Sequence, residues 1–144
     1  MVFEELLNLA EELNTEVLYN NSIISKSYVV EFEKDLYCVN IDKERIASQE
    51  DMNVCLAHEL GHVQSGTLYY NNATKLYRGS AEYRADYRAA KQLIPIEQLK
   101  KCVFNGIIEK YELAEVFEVT EEFIDKVLSI YSNKGLLIDI TKSI

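Results

Sequence analysis

The sequence predicts an α+β fold: a mainly helical chain with a small, mostly antiparallel three-stranded sheet. Apolar residues recur at helical spacing in the first 13 residues and again from residue 52 onward, whereas β-branched and aromatic residues dominate between residues 16 and 42. The 144 residues are 48% hydrophobic and 27% charged, a balance typical of one folded domain. We therefore expect a single domain over 1–144. Its predicted parts are an amino-terminal helix and sheet over 1–45, two central helices over 48–94, and a helical carboxyl-terminal part over 96–144.

The first elements are an amphipathic helix and three strands. Phe3, Leu6 and Ala10 lie among glutamates at helical spacing, which predicts a helix from residue 2 to about 13. Three runs rich in strand-forming residues follow: 17–19, 27–32 and 36–41. Glu33-Lys34-Asp35 separates the last two runs and has the composition of a hairpin turn.

Helices account for the remaining elements. Ser48 followed by Asp51 resembles a capping box, and it opens a helix that continues to about Gln64. A second helix is expected from about Ser80 to Leu93, since Pro95 disfavours helical backbone just before it. Apolar residues at helical spacing predict further helices up to Gly135, one of them capped by Thr120.

Charge and cysteine content exclude several classes of protein. A formal net charge of −9 disfavours tight nonspecific binding to nucleic acid or to an anionic membrane. The amino terminus has no basic segment before an apolar stretch, and no apolar run approaches membrane-spanning length, so we expect a cytoplasmic protein. The three separated cysteines suggest reduced thiols rather than a disulfide framework. Cys55 lies one helical turn before the first histidine, which makes it a minor candidate for an extra metal ligand.

Both histidines of the chain lie in one pentapeptide, His58-Glu59-Leu60-Gly61-His62, a complete HExxH motif. Residues four apart on a helix point the same way, so both imidazoles can reach one cation. Glu59 lies on the same turn, where its carboxylate can take a proton from a metal-bound water. The motif therefore predicts a catalytic metal site with Glu59 as the general base.

A catalytic zinc site usually takes a third protein ligand, and the next predicted helix offers Glu82 and Asp86 on one face. Either carboxylate could bind the metal, or both could pair with arginines on a solvated surface. The Glu-x-x-x-Asp pattern twenty residues after His62 resembles the gluzincin peptidases. That resemblance implies that Glu82 is the third ligand and that Asp86 orients His58 in a zincin-like fold.

The resemblance narrows further to the ImmA/IrrE family of small bacterial and phage metallopeptidases. It is carried by Leu56-Ala57 before the motif, by the Glu82 to Pro95 pattern, and by the helical tail from Ile107 to Tyr131. Arg88, or Tyr87 beside it, stands where the family commonly has phenylalanine, a difference that concerns local packing. The resemblance implies one Zn²⁺ per chain, with Mn²⁺ as an alternative. It also implies a protein substrate, typically a helix-turn-helix repressor encoded beside it on a phage or mobile element.

A donor that stabilises the oxyanion of the transition state would complete such a site. Three tyrosines lie in the predicted loop between the two ligand-bearing helices, and any of them could serve: Tyr69, Tyr70 and Tyr77. Because the chain has ten tyrosines, an ordinary packing or surface role is favoured for any single one of them.

Two other classes of function are compatible with parts of the sequence. The helices predicted around Leu113 and Ile124 could form a DNA-binding helix-turn-helix, but residues 109–126 hold seven acids and two bases, a net of −5. Such a surface would repel phosphates, so no direct binding to nucleic acid is expected. A non-catalytic regulatory or interaction protein with a structural metal is the other alternative, although such a site would need no general base.

Overall fold

Six α-helices and three β-strands occur in residues 2–69 and 72–137, the part of the chain that the computed structural model describes. The helices are α1 to α6 in chain order: Val2–Glu12, Gln49–Ser65, Lys75–Leu93, Ile96–Phe104, Lys110–Phe117 and Glu121–Asn133. The strands are β1 to β3: Thr15–Leu18, Ser27–Glu33 and Leu36–Ile41. One short 3-10 helix, Lys43–Arg45, precedes α2. The predicted α+β class is confirmed.

Side-chain caps set the first residues of the two central helices. The Ser48 hydroxyl accepts a hydrogen bond from the amide of Asp51, so α2 begins at Gln49, close to the predicted position. The Thr74 hydroxyl caps α3 in the same way, and this helix begins at Lys75 rather than near Ser80. Its first turn is exposed and has no apolar period, which is why the sequence pattern placed the start five residues too late.

The sheet is mixed, with strand order β1-β3-β2. β2 pairs antiparallel with β3 through the predicted hairpin, but β1 pairs parallel with β3. The prediction of a mostly antiparallel sheet is thus corrected for β1, because strand propensity contains no information on the partner or the direction of pairing. β2 forms one edge of the described sheet.

Helix α2 lies at the centre of the fold. It packs against β2 and β3 on one side and against α3 on the other, so the predicted packing of the sheet on the HExxH helix is confirmed. Leu56 and Leu60 point into the core, where they are fully buried with Val39 and Ile41 of β3. This packing holds the opposite face of α2 towards α3.

Gly61 allows α2 and α3 to approach closely. A Cβ atom added to Gly61 would overlap the carbonyl oxygen of Ala85 in α3. The two helices that carry the motif and its predicted third ligand are therefore positioned by a direct backbone contact.

We expect Gly61→Ala to lower the free energy of unfolding by about 1–3 kcal/mol, because the overlap forces the helices apart and outweighs the better helix propensity of alanine. Urea-induced unfolding measures the change. Gly79→Ala is the matched control, since nothing lies within 4 Å of a Cβ atom at this position on α3. Gly79→Ala should raise the free energy of unfolding by up to about 1 kcal/mol. Equal effects of the two substitutions would contradict the close contact.

An ion pair joins Lys26, the residue before β2, to Asp51 in the first turn of α2. Lys26 Nζ lies 2.8 Å from Asp51 Oδ1, and the amide of Ala47 donates to Asp51 Oδ2 at 3.0 Å. Burial alone would raise the pKa of Asp51, but these hydrogen bonds outweigh burial and lower it below 3.8. The ionised carboxylate is therefore favoured in the folded protein.

Asp51→Asn should lower the free energy of unfolding by about 1–2 kcal/mol at neutral pH, where the charge-assisted hydrogen bonds are fully present. Because the folded pKa of Asp51 is depressed, its contribution is present above the unfolded pKa and is lost as the pH falls through the folded pKa. The difference in free energy of unfolding between the wild type and Asp51→Asn, that is, their stability gap, should accordingly disappear in acid. Urea-induced unfolding of both proteins over a series of pH values measures it, and a gap that persists in acid would contradict this account.

Candidate metal centre

The two histidines of the motif lie side by side on α2. Their ring centroids are 4.8 Å apart and the ring planes are nearly perpendicular. His62 is buried, whereas the side chain of His58 is 21% exposed. Because they are one helical turn apart, both rings turn their Nε2 atoms towards the same point on α3.

Glu82 of α3 lies at that point. Its Oε2 is 2.7 Å from His58 Nε2, and its Oε1 is 3.2 Å from His62 Nε2. One ligand atom from each of the three residues lies within 4.8 Å of the others. Among residues 2–69 and 72–137 the structure thus brings together the two motif histidines and the carboxylate twenty residues further on.

Asp86 contacts the other nitrogen of His58. Its Oδ1 is 2.7 Å from His58 Nδ1, and its Oδ2 is 3.5 Å from Lys126 Nζ of α6. When Nδ1–H donates to Asp86, a neutral ring presents the lone pair of Nε2 to Glu82. A lone pair and a carboxylate oxygen at this distance repel unless a positive charge lies between them, so the donor set fits a metal cation.

The surrounding charges also favour a positive charge at this point. Burial alone would lower the pKa of His58, but hydrogen bonds to Asp86 and Glu82 raise it to about 10. Burial would raise the pKa of Glu82, yet hydrogen bonds from both histidines and from Tyr69 hold it well below its usual range. The Glu82 carboxylate is therefore ionised. The His58 ring that faces it has a raised affinity for a proton, so the point between the two groups attracts positive charge.

Glu59 lies beside the two histidines with only 6% of its surface exposed. Burial raises the pKa of its carboxyl group. The Ser27 hydroxyl, at the start of β2, donates a hydrogen bond to Glu59 Oε2 at 2.7 Å. Sequence reasoning missed Ser27, because no spacing along the chain relates a strand residue to a helix residue 32 positions later.

Thr67 contacts His62 Nδ1 through two atoms, its carbonyl oxygen at 3.2 Å and its hydroxyl at 3.1 Å. Gly66 makes this contact possible: its left-handed backbone, with φ of 66°, ends α2 and folds the chain back over His62. Thr67 is likewise absent from the site predicted from the sequence. The Ser-Gly-Thr triplet after the motif, typical of a helix end, was the available signal.

The three tyrosines considered as oxyanion donors differ in position. The Tyr69 hydroxyl donates to Glu82 Oε1 at 2.7 Å, and this bond raises the pKa of Tyr69 to about 12. Tyr77 is in α3 rather than in a loop, is 46% exposed, and contacts the Tyr69 ring edge-on. Tyr70 lies outside the described residues.

The match to a known family covers this whole centre. A family model for the IrrE N-terminal-like domain, which describes peptidases, matches residues 10–129. This is most of the chain and includes both histidines, Glu59, Glu82 and Asp86. The chain belongs to the ImmA/IrrE family of metallopeptidases. No curated protein and no solved structure gives a match.

As an ImmA/IrrE metallopeptidase, the protein acts on a protein substrate, and its predicted family is confirmed. The His58, His62 and Glu82 cluster is compatible with the metal ion that such an enzyme uses. Cys55 is not part of this cluster: its thiol is buried 3.8 Å from Asp51, and burial raises its pKa to about 11. None of the helices in the described part of the chain could span a membrane.

Two cavities flank the centre of this ImmA/IrrE protein. One has a volume of about 420 Å³ and is bounded by His58, Glu82 and the first turns of α6. The other, of about 480 Å³, is bounded by His62, Tyr69 and the edge strand β2. Both cavities share Ser25, Ser27 and Glu59 in their walls, so Glu59 lies at the boundary between them.

Proposed function

We propose that this protein is a zinc-dependent endopeptidase that hydrolyses a peptide bond in a specific protein partner. The observation that carries the proposal is the convergence of His58, His62 and Glu82 beside the buried carboxylate of Glu59. A closed structural site would use its fourth position for another Cys or His, whereas this cluster comprises three ligands among residues 2–69 and 72–137. The arrangement therefore supports catalysis rather than a structural metal.

The two histidines and Glu82 would hold the metal. Asp86 faces Nδ1 of His58 and not its Nε2, which favours an orienting role for Asp86 and a ligand role for Glu82. Two imidazoles and one carboxylate suit several divalent metals. Zinc is the usual metal of this motif, and manganese is the alternative.

When bound there, zinc lowers the pKa of a coordinated water and polarises the scissile carbonyl group. Glu59 would accept the proton of that water and deliver it to the leaving amine. Its raised pKa makes the carboxylate a stronger base than an exposed glutamate. Ser27 donates to Oε2 of Glu59 and so leaves both lone pairs of Oε1 available to accept the proton.

Tyr69 is the tyrosine that we propose as the oxyanion donor. Its hydroxyl already lies within hydrogen-bonding distance of Glu82, on the side of the metal cluster that faces the larger cavity. Glu82 Oε1 accepts from Tyr69 here, and a substrate oxyanion close to the metal would compete for the same proton.

Cleavage within a chain, rather than at its end, is supported by the two cavities. A bound polypeptide needs space on both sides of the scissile bond, and Glu59 lies in the walls of two cavities. An exopeptidase would instead close one side and provide a charged group for the terminus of the substrate.

A helix-turn-helix repressor of a phage or mobile element is the proposed substrate, acted on in the cytoplasm. This choice rests on the ImmA/IrrE membership of the chain. It is also consistent with electrostatics, because a protein of net charge −9 attracts the basic surfaces of DNA-binding proteins.

The test is to incubate the zinc-loaded protein with the repressor encoded beside it and to identify fragments by mass spectrometry. We expect one defined cut that a chelator prevents and that added zinc restores. A repressor that stays intact with the zinc-loaded enzyme would refute this substrate. Cleavage that continues in the chelator would refute the metallopeptidase mechanism.

A further inference from the structure

A chain of hydrogen bonds leads from the end of helix α2 back to His62. Ser65 Oγ lies 2.7 Å from the carbonyl oxygen of Gly61 and 2.7 Å from Thr67 Oγ1. Thr67 Oγ1 lies 3.1 Å from His62 Nδ1. The positions of the protons in this chain of hydrogen bonds follow from counting the donors and acceptors of its members.

The Gly61 carbonyl can only accept, so Ser65 donates its single hydroxyl proton to it. Ser65 then has only lone pairs to offer, and Thr67 must donate its own hydroxyl proton to Ser65 Oγ. Thr67 Oγ1 therefore has no proton left for His62. It can only accept, and the same is true of the Thr67 carbonyl oxygen, so His62 Nδ1 must be the donor.

A proton on Nδ1 leaves the Nε2 atom of a neutral His62 with a free lone pair. This is the atom that faces Glu82 at 3.2 Å, in the three-residue cluster. The other tautomer would place a proton where the metal has to bind. The direction of the Ser65–Thr67 chain therefore selects the metal-binding form of the ring.

We propose that Ser65 and Thr67 are positioning residues that fix the tautomer and orientation of His62 for metal binding. The left-handed turn at Gly66 connects the end of α2 to this site, since it places the Thr67 hydroxyl against both Ser65 and the His62 ring. The inference rests on the proposed function, because it takes His62 as a metal ligand.

The zinc affinity of the full-length protein tests the proposal, with Zn²⁺ alone as the probe and no substrate. Thr67→Val keeps the shape of the side chain but removes the hydroxyl, and we expect it to weaken zinc binding about 10–100-fold. Thr67→Ser restores the hydroxyl and should bind zinc within about twofold of the wild type. A merely structural role for residue 67 would not produce this difference, because valine fills its space better than serine.

Ser65→Ala is the second variant, and it does not alter Thr67 itself. Without Ser65 the Thr67 hydroxyl can turn and donate to Nδ1, and only the bond to the Thr67 carbonyl oxygen then favours the metal-binding tautomer, so zinc binding should weaken by up to about tenfold. Ser80→Ala is the matched control: this exposed serine on α3 is two residues from Glu82 but outside the chain of hydrogen bonds. Its zinc affinity should equal that of the wild type.

The outcomes separate this inference from the proposed function. Wild-type affinity in both Thr67→Val and Ser65→Ala would overturn the positioning role and leave the metal site intact. An equal loss in Thr67→Ser and Thr67→Val would also overturn it, because the hydroxyl would then be irrelevant. A wild-type protein that binds no zinc would overturn the metal site itself.

Discussion

Glu59→Gln is expected to slow peptide cleavage by about 10²–10⁴-fold while the protein keeps its zinc. Glutamine has nearly the same shape and can still accept a hydrogen bond from Ser27, but its amide cannot take a proton from water. The measurement is the rate of substrate cleavage by zinc-loaded wild-type and variant proteins at equal zinc content.

Glu50→Gln is the control for this substitution. Glu50 is an exposed glutamate in the first turn of the same helix, so the change in net charge is identical. Its cleavage rate should match that of the wild type. Undiminished cleavage by Glu59→Gln would remove Glu59 from the mechanism, and zinc loss in this variant would mean that Glu59 is instead a ligand.

We expect zinc binding to weaken by more than about 100-fold in His62→Ala and in Glu82→Ala. Loss of a residue that only orients a metal ligand weakens metal binding by about 10–100-fold, and loss of the ligand itself should weaken it more. Each change removes one of the three ligand atoms that lie within 4.8 Å of one another. The metal content of protein purified without added metal, measured for zinc, manganese and iron, tests this expectation and identifies the natural metal.

The matched control for Glu82→Ala is Glu97→Ala, at the start of α4, where the side chain is 79% exposed. It should purify with the same metal content as the wild type. Full zinc occupancy in Glu82→Ala would instead favour Asp86 as the third ligand, because Asp86 is the other carboxylate on that face of α3.

The parts of the fold that were predictable from sequence depend on local interactions. The start of α2 follows from Ser48 and Asp51, and the β2–β3 hairpin follows from the polar turn between Glu33 and Leu36. The proximity of His58 and His62 follows from the helical repeat alone. In each case the interacting residues are neighbours along the chain, so the sequence pattern contains the necessary information.

The remaining features depend on contacts between distant segments. The parallel pairing of β1 with β3, and the hydrogen bond from Ser27 to Glu59, join residues that tertiary packing alone brings together. The early start of α3 was missed for a different reason. Gly79 and an exposed first turn hide the helical period, although Thr74 supplies a cap.

The contact between Ser27 and Glu59 links the chemistry of the site to strand register. Ser27 pairs with Ile41 of β3, and side chains alternate between the two faces of a strand. A slip of one residue in the hairpin would therefore turn the serine hydroxyl away from Glu59, because β2 would present its opposite face to α2. Correct pairing of the hairpin is thus a requirement of the site: a molecule with misaligned strands would lose the hydrogen bond from Ser27 to Glu59.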